Sequence, residues 1–454
     1  MNSTDVFLTQ SHAPIEIRLI ATKGFESFRD SLADDERSWI ERQGFAAKSG
    51  EIAWLSSSDE VVVCGWDGSQ DLSSLGHLPL RLPAGDYQIS THLEEVQVVG
   101  WGLGSYQFTR YKQAKRDPAK LVMPEGIPLE RVVNLCDAVN LTRDLINTGA
   151  ADMAPSHLAA EAAALADQFE ATCVIWEGDE LLDHECGAIH AVGRAADDPP
   201  RLIDITWGDP AHPKLTLVGK GVTFDSGGLN IKPAGGMRTM KKDMGGAATA
   251  IGLAYLIMAE ALPIHLRLLV PTAENAISGN AYRPGDILHT HKGITVEIDN
   301  TDAEGRLLLC DALSLANNPQ PELIFDFATL TGSARSAVGT EIAAMFANDD
   351  ELADALLQAG SAVDDPVWRM PLHAGYGYML DSKVADLVNS PASGYAGAIT
   401  AALFLQKFVD DGIEWAHFDI MAFNTRGRPA RPEGGEAMAL RAVFEYLERR
   451  YGAG

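Results

Sequence analysis

The sequence predicts an α/β protein, with a small N-terminal α/β domain and a larger α/β domain built on a mixed central sheet flanked by helices. Two observations carry this. Strand-like and helix-like runs alternate along the chain, and 454 residues exceed what one compact core holds. In the first part, apolar runs at 15–20, 61–64 and 96–99 read as strands and 25–42 as a helix. Residues 112–128, rich in charge and proline, suit a boundary. A helical stripe follows at 129–146, with Val132, Leu135, Cys136, Val139 and Ile146 on one face. Beyond it, strands are expected at 173–176, 215–218, 265–270, 296–298, 323–327 and 415–420. Helices are expected at 155–168, 245–261, 305–317, 351–359 and 397–409. The expected organisation is a domain at 1–124, a connecting helix at 125–148 and a second domain at 149–454. Functional groups on such sheets gather where strands end.

Composition excludes several function classes. Lys and Arg total 36 against 63 Asp and Glu, a net charge of −27, and such a surface repels phosphate backbones and anionic lipid. Neither nucleic acid nor membrane is an expected partner. The longest apolar stretch, 247–262, is broken by Thr249, Gly252 and Glu260 and is too short to cross a bilayer. Five widely separated cysteines without a C-x-x-C pair read as free thiols in a reducing compartment. Residues 1–10 show no basic stretch followed by an apolar core, so a cytoplasmic location is expected.

Some motifs are set aside. Gly100-Trp101-Gly102-Leu103-Gly104 is G-x-G-x-G after an expected strand and reads as a tight turn, not a dinucleotide fingerprint. Gly219-Lys220-Gly221 lacks the rest of a P-loop, and Asp225-Ser226-Gly227-Gly228 is no nucleophile elbow. There is no H-E-x-x-H, and His289 with His291 has no completing ligand nearby, so a metal site here is carboxylate-rich if it exists.

Two segments stand out. The first runs from Val218 through Lys220, a glycine-rich turn holding Asp225, and Lys232 to Asp243, just before an apolar helix. The second is Asn300-Thr301-Asp302-Ala303-Glu304-Gly305-Arg306-Leu307, between a strand and a helix. Each acid also has an ordinary reading: Asp243 as an N-cap, Thr301-x-x-Glu304 as a capping box, Asp225 as a turn residue. Lys220 and Lys232 would by default be solvated. Jointly, four acids at strand and helix junctions can form a pocket whose charge two divalent ions would balance.

The octapeptide 300–307 resembles the signature of the leucyl aminopeptidase family and is complete. Residues 219–228 and 242–246 look like that family's other metal-site blocks, at matching spacings, and the resemblance covers 147–420. The shorter N-terminal domain is closer to the bacterial aminopeptidase B-like branch. The resemblance implies a cytosolic, hexameric, metal-dependent aminopeptidase that hydrolyses N-terminal residues from peptides. It implies two divalent ions per subunit, Mn²⁺ or Zn²⁺, with Asp225 and Glu304 bridging, Asp302 completing one shell, and Lys220 with Asp243 completing the other. Lys220 would then be neutral. Lys232 looks like the lysine that stabilises the oxyanion, and Arg306 like the arginine that holds a proton-shuttling bicarbonate. Met240, Thr329 and Gly332 fall where the family lines the pocket for the N-terminal side chain, although core packing is their ordinary reading. Around 434–438 the usual pocket residues are not matched. Two alternatives stand beside this reading: a catalytically silent hexameric scaffold or regulator, and a narrow dipeptidase such as a cysteinylglycinase.

Overall fold

The computed structural model describes residues 3–55 and 61–452. They fall into two compact units, residues 3–140 with 426–433, and residues 141–425 with 434–452.

The first unit carries a six-stranded sheet in the order β1-β6-β5-β2-β4-β3. Its strands are β1 (Phe7–Leu8), β2 (Ile15–Ala21), β3 (Ile52–Trp54), β4 (Val61–Trp66), β5 (Asp86–Ile89) and β6 (Lys120–Val122). All neighbours pair in parallel except β3 with β4. The expected helix at 25–42 is two helices, Phe25–Ser31 and Asp34–Arg42, separated where Leu32 and Ala33 turn extended.

One expectation fails here. Residues 96–99 are not a strand, and 100–104 is not a turn, because Glu95–Gly104 is one helix. Three valines suggested a strand, but burial against a neighbour overrides a propensity of well under 1 kcal/mol per residue. The glycines show how. A Cβ on Gly100 would lie 2.3 Å from the Leu72 carbonyl oxygen, and one on Gly104 would lie 2.1 Å from that of Gly76. Only a bare backbone lets this helix sit so close to the Ser73–Gly76 helix beside it.

The second unit is built on a nine-stranded mixed sheet. Its strands are β7 (Thr172–Glu177), β8 (Arg201–Trp207), β9 (Lys214–Gly219), β10 (Gly221–Asp225) and β11 (His265–Asn275). After the small hairpin of β12 (Ile287–His289) and β13 (Thr295–Glu297) come β14 (Leu323–Ala328), β15 (Ala343–Ala347) and β16 (Val367–Arg369). β17 (Leu387–Val388) joins the hairpin, and β18 (Glu414–Asp419) completes the large sheet. The order is β16-β15-β18-β14-β9-β11-β8-β7, with β10 beside β11. The sequence left β10 inside a glycine-rich turn, yet Gly221–Asp225 pairs in parallel with β11. It is too short and too glycine-flanked to show a strand period.

β18, β14, β9, β11 and β10 are mutually parallel, with antiparallel pairs at β8 and β15 on either side. Every residue of β14 is buried, as expected for a strand covered on both faces. The Gly245–Ala259 helix packs on β9, β11 and β14, and the Gly305–Ala316 helix packs on β9 and β11. The former is apolar all round, in keeping with a fully enclosed helix.

A charged network sits inside this sheet. Asp326 on β14 accepts from Trp415 Nε1 at 2.7 Å and pairs with His417 Nδ1 at 2.5 Å, and all three side chains are wholly buried. Burial disfavours the His417 charge, but Asp326 outweighs it and raises the histidine pKa. A raised pKa means that the pair contributes fully below the unfolded value of about 6.5 and less as pH rises through the folded one. Asp326→Ala leaves both partners buried and unpaired, so we expect a loss of about 3–5 kcal/mol in urea unfolding at pH 6. The difference between wild type and variant should shrink at alkaline pH.

Candidate metal centre

The parallel strands direct their C-terminal ends to one edge of the sheet, and a polar residue stands at each. Lys220 follows β9, Asp225 ends β10, Asn275 ends β11, Thr329 follows β14 and Asp419 ends β18. Asp243 arrives in the 3₁₀ turn Met240–Met244, and Glu304 occupies the N-cap position of the Gly305–Ala316 helix. Asp302 lies in the loop just before it.

These residues converge. Lys220 Nζ lies 2.8 Å from Asp243 Oδ2 and 2.9 Å from Glu304 Oε1, and donates to the Thr329 carbonyl at 3.1 Å. Lys232 Nζ is 2.7 Å from Asp225 Oδ2 and also contacts Asp302 Oδ1. One oxygen each from Asp225, Asp302 and Glu304 lies within 4.8 Å of the others. All six candidates therefore belong to one cluster, buried apart from partial exposure at Asp302 and Lys232.

The ordinary readings are largely displaced. Glu304 makes no side-chain cap, and the Thr301 hydroxyl donates to the Gly227 carbonyl at 2.6 Å while accepting from Asn230 N, so no capping box forms. Met244, not Asp243, is the N-cap of its helix. Asp225 does act as a turn residue through Oδ1, which accepts from Gly227 N at 2.8 Å, leaving Oδ2 for the cluster.

Arg306 is buried beside the acids without touching them. Its Nη1 donates to the Asn389 carbonyl at 2.6 Å, and its Nε has no hydrogen-bond partner among the described residues. Thr329 donates its hydroxyl to Asp243 Oδ1 at 2.7 Å, Met240 opens the turn that carries Asp243, and Gly332 is exposed at the start of the Gly332–Val338 helix.

Sequence reasoning missed the residues that hold the loops. Asn275 Nδ2 donates to both Asp225 Oδ1 (2.8 Å) and the Thr301 carbonyl (3.0 Å), and Tyr282 donates to that same carbonyl at 2.6 Å. Asn389 receives the backbone N–H groups of Asp299 and Asn300 on Oδ1 and donates Nδ2 to the Asn300 carbonyl. An amide ending a long apolar strand was a usable signal for Asn275. None marked Asn389.

The electrostatics are those of crowded like charges. Burial, then the Asp225 charge, pushes Glu304 up to about 7, and burial with Asp243 raises Asp225. Burial works against the Asp243 charge, but Lys220 and Lys242, with the hydrogen bonds from Lys220 and Thr329, together hold its carboxyl low. Burial opposes both lysine charges, yet Asp243 and Glu304 lift Lys220, and Asp225 lifts Lys232, above the ordinary range. Among the chain's own charges Lys220 is thus an ammonium, unlike the neutral amine expected of a metal ligand. Its acidic neighbours hold the proton in the role that divalent cations would take over. Four carboxylates meet two ammonium groups here, an excess of two negative charges.

Such a donor set fits divalent cations: clustered carboxylate oxygens, one amine, and uncompensated negative charge in a buried site. The fold and site define an α/β metalloenzyme.

The comparisons narrow this. Residues 140–444 match the cytosol aminopeptidase family, catalytic domain, and residues 15–124 match the M17 aminopeptidase N-terminal domain. The crystal structure of cytosol aminopeptidase from Coxiella burnetii superimposes with a TM-score of 0.94 at 48% identity, covering 98% of this chain and 100% of that one. The bottromycin maturation enzyme BotP in complex with Mn gives 0.84 at 32% identity, covering 96% and 99%. A probable cytosol aminopeptidase of Geotalea uraniireducens is 39% identical over 398 residues, 84% of this chain and 78% of its own. The chain belongs to the cytosol aminopeptidase family and is a metal-dependent aminopeptidase.

Gly305 tests how tightly the site is built. A Cβ there would lie 2.5 Å from Lys220 Cε and 2.8 Å from its Nζ, so Gly305→Ala must displace that amine from Asp243 and Glu304. Alanine favours the helix, so circular dichroism should be unchanged. Divalent-metal affinity, read by titration, should fall by about 10–100-fold.

Proposed function

We propose that this aminopeptidase holds two divalent ions, with Asp225 and Glu304 bridging them, Asp302 completing one shell, and Lys220 with Asp243 the other. The observation that carries this reading is the convergence of Asp225, Asp302 and Glu304 within 4.8 Å, with Asp243 tied in through Lys220. When bound, the ions anchor the substrate's α-amine, acidify a water and polarise the scissile carbonyl. Mn²⁺ and Zn²⁺ both suit a carboxylate set with one amine. Lys220 must lose its proton to ligate, because an ammonium has no free lone pair.

Lys232 is the oxyanion donor. It is long, cationic and partly exposed at the edge of the cluster, so it can turn from Asp225 and Asp302 toward a substrate carbonyl as negative charge develops there. Arg306 holds a bicarbonate that moves the proton from water to the leaving amine. Its Nε, without a hydrogen-bond partner among the described residues, supports this, since a planar anion would satisfy it.

The substrates are peptides with a free N-terminus, and the enzyme works in the cytosol. The relatives' name, cytosol aminopeptidase, and five free cysteines support that location. Among the described residues no helix is long and apolar enough to cross a membrane. Residues 125–148 link an N-terminal domain at 1–124 to the catalytic domain at 149–454.

The ligand assignment is tested by metal content and turnover of an aminoacyl-anilide. Asp225→Ala and Glu304→Ala should each lose both metal and activity. Full metal in Glu304→Ala would contradict its bridging role. Lys220→Arg should lose metal at one site, because a guanidinium stays protonated. Lys232→Ala should keep both ions and lose about 10²–10³ in kcat. A second expectation is a hexamer, by resemblance to the family. Light scattering should find six subunits, and a fully active monomer at micromolar concentration would exclude it.

A further inference from the structure

One buried carboxylate at this edge lies outside the ligand set. Asp419 ends β18, is 2% exposed, and spends both oxygens on the turn that follows β14. Oδ1 accepts from Leu330 N and Thr331 N, each at 3.0 Å, and Oδ2 accepts from the Thr331 hydroxyl at 2.6 Å. That hydroxyl in turn accepts from Ala334 N at 3.0 Å, as the N-cap of the Gly332–Val338 helix.

The sheet creates the need for such an acceptor. Ile420 N donates to the Ala328 carbonyl at 2.9 Å, at the very end of the pairing between β14 and β18. Past it the chain passes from strand to helix, where backbone N–H groups lose their ladder partners and must find others. An ionised acceptor makes the stronger bond, so a carboxylate fixes this turn more firmly than a neutral group would.

What the turn carries is Thr329. Its carbonyl accepts from Lys220 Nζ at 3.1 Å, and its hydroxyl donates to Asp243 Oδ1 at 2.7 Å. Lys220 and Asp243 are the two ligands assigned above to one ion alone. A neutral amine has one lone pair, and an N–H committed to the Thr329 carbonyl restricts where that pair can point. Asp243, with Oδ1 held by the hydroxyl, has Oδ2 left to turn to the ion. The other side of the site is fastened elsewhere. Asp225 is held by Gly227 N and Asn275, and the loop bearing Asp302 by Asn230 and Asn275 at Thr301.

We propose that Asp419 is a positioning residue for one of the two ions, holding residues 329–331 so that Thr329 aims Lys220 and Asp243. This rests on the ligand assignment above, which gives those two residues to a single shell.

The test is calorimetric titration with Mn²⁺, with electron paramagnetic resonance to tell single from paired ions. In Asp419→Ala one ion should bind about 10–100-fold more weakly, the usual worth of a group that orients a ligand, and the other as in wild type. Two backgrounds identify the ion. Asp302→Ala retains the Lys220–Asp243 ion by the assignment, and adding Asp419→Ala should weaken it by the same factor. In Asp243→Ala the addition should change nothing, because its target is already gone. Asp419→Asn keeps an acceptor for the two N–H groups and should recover part of the affinity. Thr331→Val removes the hydroxyl, should weaken the same ion, and carries the test if Asp419→Ala does not fold. Both ions weakened equally, or neither, in a folded variant overturns the positioning role and leaves the ligand assignment standing. Weakening in the Asp243→Ala background and not in Asp302→Ala does the same. A wild-type chain that binds fewer than two Mn²⁺ overturns the assignment, and this proposal with it.

Discussion

The arrangement turns on one constraint: four carboxylates must be held close together, largely out of water, without flying apart or protonating. Two unit charges 4 Å apart at an effective dielectric of about 20 repel by roughly 4 kcal/mol, so no flexible loop would keep them there. The chain meets this by dividing the labour within a carboxylate. Asp225 gives Oδ1 to Gly227 N and Asn275 and turns Oδ2 to the cluster. Asp243 gives Oδ1 to the Thr329 hydroxyl and Oδ2 to Lys220. One oxygen fixes the side chain, and the other faces the site.

The scaffold follows from that need. Parallel strands β9, β10, β11, β14 and β18 present their ends on one edge, so residues far apart in sequence arrive side by side on rigid supports. The loop that leads into the Gly305–Ala316 helix is held through Thr301, Asn230, Asn275, Tyr282 and Asn389. Deeper in the sheet, Asp326, Trp415 and His417 tie β14 to β18. Those strands lead to Thr329 and Asp419, so the buried network braces that edge of the site.

Much of this was legible beforehand. The strands with continuous apolar runs were placed within a residue or two at β9 and β14, because strands covered on both faces need no polar alternation. The two acidic segments were readable because several unusual residues crowd into a few positions. The helix Glu95–Gly104 was not, since its valines signal a strand and its glycines a turn until the neighbouring backbone is known. Asn389 was equally silent, because a lone amide carries no local pattern.

What the sequence by itself determined is the chemistry: which acids and lysines are present, at which junctions, and the alternation that forces an α/β sheet. These are local properties, set by side-chain type and by periods of two or four residues. What only the tertiary structure decided is which groups face one another and which are left without a partner. The site lysines pair with acids up to 84 residues away (Lys220 with Glu304), and Glu304 faces the cluster instead of capping its helix. Pairing depends on where strand ends meet in space, and that follows from sheet order and register, which no short stretch of sequence encodes.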